Sequence, residues 1–448
     1  MAKRLLMSGT LLRASLGLAV AVSGLLGPAA ARAQGGGSFW PWRHKAAAET
    51  PPQPPAEMRP SQPAAISIPV EPLGFYAPST YYEGLRRSLV SLDFLDEDRL
   101  LFAFRAPGLI HRKGAAEDEW QARAVVLKLP LGGVETEALW TLYDHERHLW
   151  MLRDGHFLLR DRDTLEQGDG TLERKPLLHF PGPLLWLEMD PSQQFLVTDS
   201  REPAGVKAGA DEVPRPATAA ASVASDEAAG AGQPDIVLRI LRRSTGHVML
   251  VSRVRGTVHL PINSDGYLEA LRSLGSDWVL NLNYFSGGSR ILGKVESACE
   301  PAIEFIAQTE ALATTCDSDG GREMVAVSTD GRRLWHARSE ETQVWPLVVM
   351  GGNGLRLARE TLTVTHPVNA FSPLSFDDVK GQVVEVYDAA DGKLELKAPA
   401  SPVLDGGGNV AISPSGRRVA VLDAGSIKVY ELPAPPPLPQ AGSPSPAR

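Results

Sequence analysis

An all-β fold, a propeller of seven blades, is predicted by three features of this 448-residue chain. A tight polar turn followed by a short apolar run recurs seven times, at Arg99, Arg147, Gln194, Asp277, Arg322, Leu355 and Arg417. The intervals between the runs are 48, 47, 83, 45, 33 and 62 residues, and the 83 falls to 49 once the low-complexity stretch Arg201 to Pro234 is removed. A period in the forties matches small sheets repeated around a ring. The third feature is the segment Asn409 to Pro433, where three strands fit into 25 residues and leave no room for a helix. Six and eight blades are the neighbouring counts, because the intervals of 33 and 62 break the series near Leu355.

Residues 1–33 read as a secretory signal peptide. Lys3 and Arg4 open it, an apolar stretch runs from Leu16 to Leu26, and the small-residue exit Ala31-Arg32-Ala33 predicts cleavage before Gln34. The apolar core is shorter than the roughly 20 residues that span a bilayer, and Arg13 interrupts its front edge. No later segment is long enough to span, so the mature chain is expected to be exported, periplasmic or secreted, with no transmembrane segment. There is no twin-arginine pair in the basic start and no cysteine at the cleavage point, so export unfolded and without a lipid anchor is expected.

Residues 34–71 are rich in Pro, Ala, Gly and Gln and predict a flexible linker. Within them Trp40-Pro41-Trp42-Arg43-His44-Lys45 is an aromatic and basic patch that either docks on something or is incidental. The propeller domain is placed at 72–433, with ring closure by a strand from about Leu73 to Tyr82. Val90 to Leu95 and Leu100 to Phe104 form the first hairpin around Asp96-Glu97-Asp98. Asp330-Gly331, Asp391-Gly392 and Thr245-Gly246 mark equivalent hairpins further on, and Asp154-Gly155 is expected as a fourth, dividing two more apolar runs. Asp190 to Gln193 repeats the turn Ser413-Pro414-Ser415-Gly416 without its glycine.

Residues 200–234 are almost pure Ala, Gly, Pro, Ser, Val, Glu and Asp, too poor in large apolar side chains to offset the entropy of ordering, and predict a disordered insertion in the third blade. The Pro-rich tail 434–448 predicts disorder for the same reason.

The chemistry-bearing patterns are sparse. Cys299 and Cys316 are the two cysteines, and an even count in an exported chain favours a disulfide, worth roughly 3 kcal/mol if unstrained; two buried thiols are the alternative. A net charge of −8 argues against nucleic acid as the partner, since phosphate neutralisation needs a basic face. The densest basic cluster, Arg239 to Arg243, sits in an apolar run and is expected on a solvated strand edge. Nucleophile elbows, paired-histidine helices and phosphate-cradling loops are missing. Gly351-Gly352-Asn353-Gly354 lacks a following lysine and reads as a hairpin turn, and His145 and His148 read as solvated turn residues. The acidic turns 96–98 and 117–119 read as solvated rather than as cation sites. The irregular stretch from His366 to Asp378 is the first candidate for a functional loop.

At these segments the chain resembles bacterial exported propellers of the WD-like and quinoprotein-repeat type. Tyr387-Asp-Ala-Ala-Asp-Gly-Lys393 is similar to the quinoprotein turn, and Asp330-Gly-Arg-Arg-Leu-Trp335 is similar to that turn followed by its docking tryptophan. The resemblance implies the fold and a structural role for Trp335 between blades. Leu396 stands where a second tryptophan would be, and the adjacent-cysteine pair of many quinone-using members is missing. The expected function is therefore a non-catalytic exported propeller that binds a protein or cell-envelope component, with no catalytic, cofactor-binding or metal residues and no cofactor. A metal-dependent hydrolase or lactonase, or a quinone-dependent dehydrogenase, is the alternative. Carbohydrate binding would need Trp140, Trp150 or Trp186 on the surface, and all three sit in apolar runs that predict core packing.

Overall fold

The computed structural model describes residues 62–77, 90–105, 120–142, 148–202, 211–217, 235–273, 275–318, 320–351, 354–369, 374–404 and 407–434. The expected signal peptide, most of the linker, the tryptophan patch at 40–45, His145, the acidic turn 117–119 and the tail beyond 434 lie outside them.

Among these residues the strands form seven antiparallel sheets, the seven blades of a propeller. The first strand, β1 (Ile66–Pro69), belongs to the last blade and is taken up below. Blade 1 is β2 (Ser91–Asp96), β3 (Arg99–Arg105), β4 (Trp120–Lys128) and β5 (Gly133–Leu142). Blade 2 is β6 (Leu149–Met151), β7 (Phe157–Asp161), β8 (Thr164–Gly168) and β9 (Arg174–His179). Blade 3 is β10 (Leu184–Met189), β11 (Phe195–Arg201), β12 (Ile236–Arg242) and β13 (Val248–Val254). Blade 4 has three regular strands, β14 (Gly266–Arg272), β15 (Asp277–Tyr284) and β16 (Ser289–Glu296). Blade 5 is β17 (Ala302–Ala307), β18 (Glu310–Cys316), β19 (Arg322–Ser328) and β20 (Arg333–Arg338). Blade 6 is β21 (Gln343–Met350), β22 (Arg356–Val364), β23 (Val379–Asp388) and β24 (Leu394–Ala400). Blade 7 takes β25 (Val410–Ile412), β26 (Arg418–Asp423) and β27 (Ser426–Glu431) from the C-terminal end and β1 from the N-terminal end.

Each of the seven turn-and-run marks falls in a different blade, so the count of seven holds. The uneven spacing has a simple origin. The Arg322 run is the third strand of blade 5 and the Leu355 run is the second strand of blade 6, so that interval is short although both blades have four strands. The irregular blade is instead the fourth. Its innermost position is held by residues 257–263, tied to β14 by the amide of Leu268 donating to Pro261 O (2.8 Å), that of Asn263 donating to Gly266 O (2.9 Å), and a single bridge from Ile262 to Tyr267. Pro261 cannot donate to a ladder, which keeps this segment out of regular strand pairing.

The closing strand is Ile66–Pro69, upstream of the expected 73–82 and inside the stretch expected to be linker. It pairs antiparallel with β27, from Ile66 against Val429 to Pro69 against Ser426. The alternation Ile68, Val70 sends two apolar side chains into the core beside Phe102, Leu127 and Ile427, while Leu73 sits in a short helical turn started by Glu71-Pro72. Four residues of β pattern in a Pro-rich context were too short a signal against the stronger runs that follow.

The first-to-second-strand turns meet in succession. Glu97 of blade 1 accepts from the amide of Ser415 in blade 7 at 2.6 Å, and its carbonyl accepts from Arg418 Nη1 at 2.6 Å. The acidic turn 96–98 is thus a latch between the first and last blades. Gln193 of blade 3 stands at φ 61 where blade 7 has Gly416 at φ 75; its Nε2 donates to Met151 O and its Oε1 accepts from the Arg153 amide, both in blade 2. Those two bonds explain why a non-glycine residue is kept in the left-handed region.

Thr245-Gly246, Asp330-Gly331 and Asp391-Gly392 all join the third strand of a blade to its fourth, as their sequence predicts, whereas Asp154-Gly155 joins the first and second strands of blade 2. Trp335 is buried, and its indole Nε1 donates to Ala389 O of the next blade at 2.6 Å. A Cβ on Gly392 would lie 2.6 Å from that ring. Gly392 has φ +70 as well, so Gly392→Ala is expected to destabilise the protein by about 1–3 kcal/mol, read by urea unfolding.

The insertion joins β11 to β12, the second and third strands of blade 3, as expected. Its described part, 211–217, is seated on the outer strand. Val213 is buried in the blade 3 core, Glu212 N donates to Met249 O at 2.8 Å, and Tyr267 Oη donates to Pro214 O at 3.1 Å. Val213, the Pro214 carbonyl and the bonds of Asp211 and Glu212 to β13 anchor residues 211–217 of a stretch whose composition alone predicts disorder.

Candidate functional site

In a propeller the first strand of each blade faces the central channel. Three consecutive blades place polar side chains on that wall: Glu188 from β10, His259 from the irregular segment of blade 4, and Glu304 from β17. His259 is 44% exposed, and its two ring nitrogens are both engaged. Nδ1 is 2.9 Å from Glu188 Oε2, and Nε2 donates to Ile303 O at 2.7 Å. A carbonyl can only accept, so Nε2 carries a proton, and a carboxylate facing Nδ1 favours a proton there as well. Burial works against the charged ring, but the charge and hydrogen bond of Glu188, the Ile303 carbonyl and Glu304 outweigh it and raise the ring to about 9.

Around this ring lie Trp186, Asp199 and Glu304. Trp186 is 39% exposed and meets His259 edge to face, ring centroids 6.1 Å apart. Asp199 is directly opposite Trp186 in the β10–β11 ladder, so the two share a face of the sheet. It is fully buried; Oδ2 accepts from the Val258 amide at 2.6 Å and so holds the residue before His259, while Oδ1 has no hydrogen bond. Burial pushes Asp199 up to about 7, as it does Glu304.

These three shifts act on stability in one direction. The folded chain holds protons on Asp199 and Glu304 that the unfolded chain loses above about pH 4, and a proton on His259 that it loses above about pH 6.5. Stability is therefore expected to fall as pH rises, first between about 4 and 7 through the two carboxyls, then between about 6.5 and 9 through the imidazole. Melting temperatures taken across that range test it: Asp199→Asn with Glu304→Gln should flatten the lower limb, and His259→Gln the upper one.

Other polar clusters serve packing. Arg239, expected on a solvated edge, is buried in β12, the third strand of its sheet, where its guanidinium forks onto Glu202 at 2.5 and 2.8 Å. His148, expected in a solvated turn, is buried at the start of β6. In the irregular stretch 366–378, Asp378 accepts from Thr365 Oγ1 (3.1 Å) and the Ser375 amide (3.2 Å) and lies 3.4 Å from His366, and Val368 packs on Leu362 and Val364. Residues 370–373 lie outside the described set. Of the expected turn 351–354, residues 352 and 353 lie outside the described set; the Gly354 amide donates to Gly351 O. Trp140 and Trp150 are core residues as expected, but Trp186 is not: the register shift between Leu184 and Trp186 breaks the alternation that predicts its burial.

Cys299 and Cys316 are brought to disulfide distance, with Cα atoms 5.8 Å apart at the entrance to blade 5 and the end of β18. Non-reducing peptide mapping is expected to recover them as one crosslinked pair. No group of three or more His, Cys, Asp or Glu side chains among the described residues is arranged to hold a metal ion. No helix among them is long and apolar enough to cross a membrane.

No family model matches the chain, and no curated protein matches it. Solved structures similar to it include the acylaminoacyl peptidase of Pyrococcus horikoshii, at 9% identity and a TM-score of 0.45 over 77% of this chain and 51% of that one. This chain thus spans about half the peptidase's length. Sqt1 from Chaetomium thermophilum aligns at 11% identity and a TM-score of 0.40 over 78% of this chain and 97% of its own. A functionally unknown protein from Desulfotomaculum acetoxidans aligns at 13% identity and a TM-score of 0.40, over 69% and 89%.

Proposed function

We propose that this propeller is a non-catalytic binding module, exported to the periplasm or beyond, that recognises a protein or cell-envelope component, and that its repeats are of the WD-like and quinoprotein type. The observation that carries this reading is the placement of His259, with both ring nitrogens against acceptors. A general base needs a free lone pair and a pKa near the working pH. With Nε2 donating to the Ile303 carbonyl and Nδ1 facing Glu188 at 2.9 Å, the ring has no nitrogen turned to a substrate, which supports a structural role for it. The secretory pattern of residues 1–33 and the cysteine pair support the export part of the reading.

Crosslinking pull-downs from the native envelope, with the mature chain as bait, test it. A specific partner recovered with the wild-type protein, and no turnover on a panel of ester, lactone and alcohol substrates, is the expected outcome. Turnover abolished by His259→Gln, with no partner recovered, would replace this reading by the enzyme alternative.

A further inference from the structure

We infer that the wall formed by Trp186, Glu188 and Glu304 is a receptor for a cationic side chain, an arginine or lysine presented by a peptide partner. The inference rests on the binding reading above and names the chemistry of what is bound.

Four observations carry it. Trp186, His259 and Glu304 stand on the inner segments of three consecutive blades, with the His259 ring 6.1 Å from the Trp186 indole and its Nε2 donating to the carbonyl of Ile303, the residue before Glu304. His259 already shows what the wall accepts: a cation packed against the Trp186 indole at 6.1 Å and paired with Glu188 at 2.9 Å. Aromatic faces and carboxylates together are the usual surroundings of a desolvated ammonium or guanidinium.

The third observation is that the internal cation does not satisfy the carboxyls. Glu188 and Glu304 both act on the one histidine ring, and Asp199 is held behind it on the Val258 amide. Glu304 makes no hydrogen bond or ion pair among the described residues, and it feels His259 only at a distance. The fourth is Asp199. It is fully buried on the sheet face that carries Trp186, its Oδ1 has no hydrogen-bond partner, and Glu188 is the charged group that acts on it. A positive group against Glu304 and Trp186 would pair with Glu304 and favour its ionised form, and the exposed ring of Trp186 gives it a surface to lie on. A guanidinium suits this wall well, since it stacks on an indole and donates to a carboxylate at once.

The test uses the full mature protein and the peptide acetyl-Gly-Arg-Gly-amide, with the citrulline peptide as its neutral isostere, both titrated in about 0.15 M salt so that the general negative charge is screened. Binding is followed on the indole N–H signals of 15N-labelled protein, with Trp186→Phe assigning the responding signal. The arginine peptide is expected to bind about tenfold tighter than the citrulline peptide, to shift the Trp186 signal, and to weaken about tenfold in Glu304→Gln. Equal binding of the two peptides, no saturable binding, or a response unchanged in Glu304→Gln would overturn the inference. So would preferential binding of Ca2+ or of a neutral oligosaccharide at the same indole. Glu304→Gln removes a carboxyl whose burial is costly, so its melting temperature should match or exceed the wild type at pH 8 and loss of binding cannot be laid to unfolding. A partner captured equally well by wild type and Glu304→Gln would sink this inference and leave the binding reading standing; turnover lost in His259→Gln would sink the binding reading itself.

Discussion

A chain that begins at Glu71 is expected not to give a stable monomer, whereas one that begins at Ser61 is expected to unfold in a single cooperative transition. The difference is β1. Without it β27 becomes an open edge, and the buried side chains of Ile68 and Val70 are lost from the cluster that joins blade 7 to blade 1. Two buried aliphatic side chains are worth about 3–6 kcal/mol together, and the antiparallel pairing of four residues is lost with them. Domains are stable by only about 5–15 kcal/mol, so the truncation takes a large share of the total and exposes a strand edge that invites association. Size-exclusion chromatography and urea unfolding of the two chains decide it. Equal unfolding midpoints would mean that the ring does not depend on its closing strand.

Glu385→Ala is expected to cost about 3–5 kcal/mol. Glu385 is buried in β23, and its Oε2 accepts from Arg359 through both Nε (3.0 Å) and Nη2, from Thr361 Oγ1 at 3.2 Å and from Tyr387 Oη at 3.2 Å. Its other oxygen lies 3.1 Å from Lys397 Nζ, and the Arg359 guanidinium lies over the Tyr387 ring at 5.1 Å. Burial works against the carboxylate, but Arg359 and Lys397 more than offset it and hold Glu385 below the usual range. Truncation would take Glu385 away from the buried Arg359 guanidinium in the core of blade 6, which costs more than the pair contributes when intact. Its sign with pH is opposite to that of the channel: the contribution of Glu385 is present above about pH 4.5 and lost as pH falls through its lowered pKa. Glu385→Gln keeps the shape and, with its amide oxygen in the place of Oε2, the four acceptor contacts there, and should cost less than the alanine variant.

The sequence made the blades legible where the turns carry a distinctive residue. Gly416, Gly331, Gly392 and Gly246 all adopt positive φ, and each was visible as a glycine after a polar residue. Trp335 was legible because a tryptophan beyond such a turn has a known packing role, which the bond to Ala389 fulfils. The closing strand was not, because Ile66–Pro69 has only two core-facing side chains and lies in a Pro-rich stretch. Two residues standing in for others also hid structure: Gln193 holds a left-handed turn without glycine, and Pro261 breaks the ladder in the inner position of blade 4.

The channel cluster was less legible than the fold. Glu188, His259 and Glu304 are spread over more than a hundred positions and share no motif; only the ring brings them together on neighbouring blades. What the sequence does contain is the alternation of Trp186 and Glu188 on one strand face and a histidine two residues before Pro261. Neither signal separates a channel wall from an ordinary solvated strand until the blades are assembled.

The protonation state of His259 is the point on which the functional account turns, and it is directly measurable. In protein labelled with 15N-histidine, with the His259 signal assigned by its loss in His259→Gln, the ring should remain doubly protonated through neutral pH and titrate near 9. A ring that is neutral at pH 7.5 and titrates near 6.5 would contradict the account, because His259 would then have a lone pair available for proton transfer in the channel.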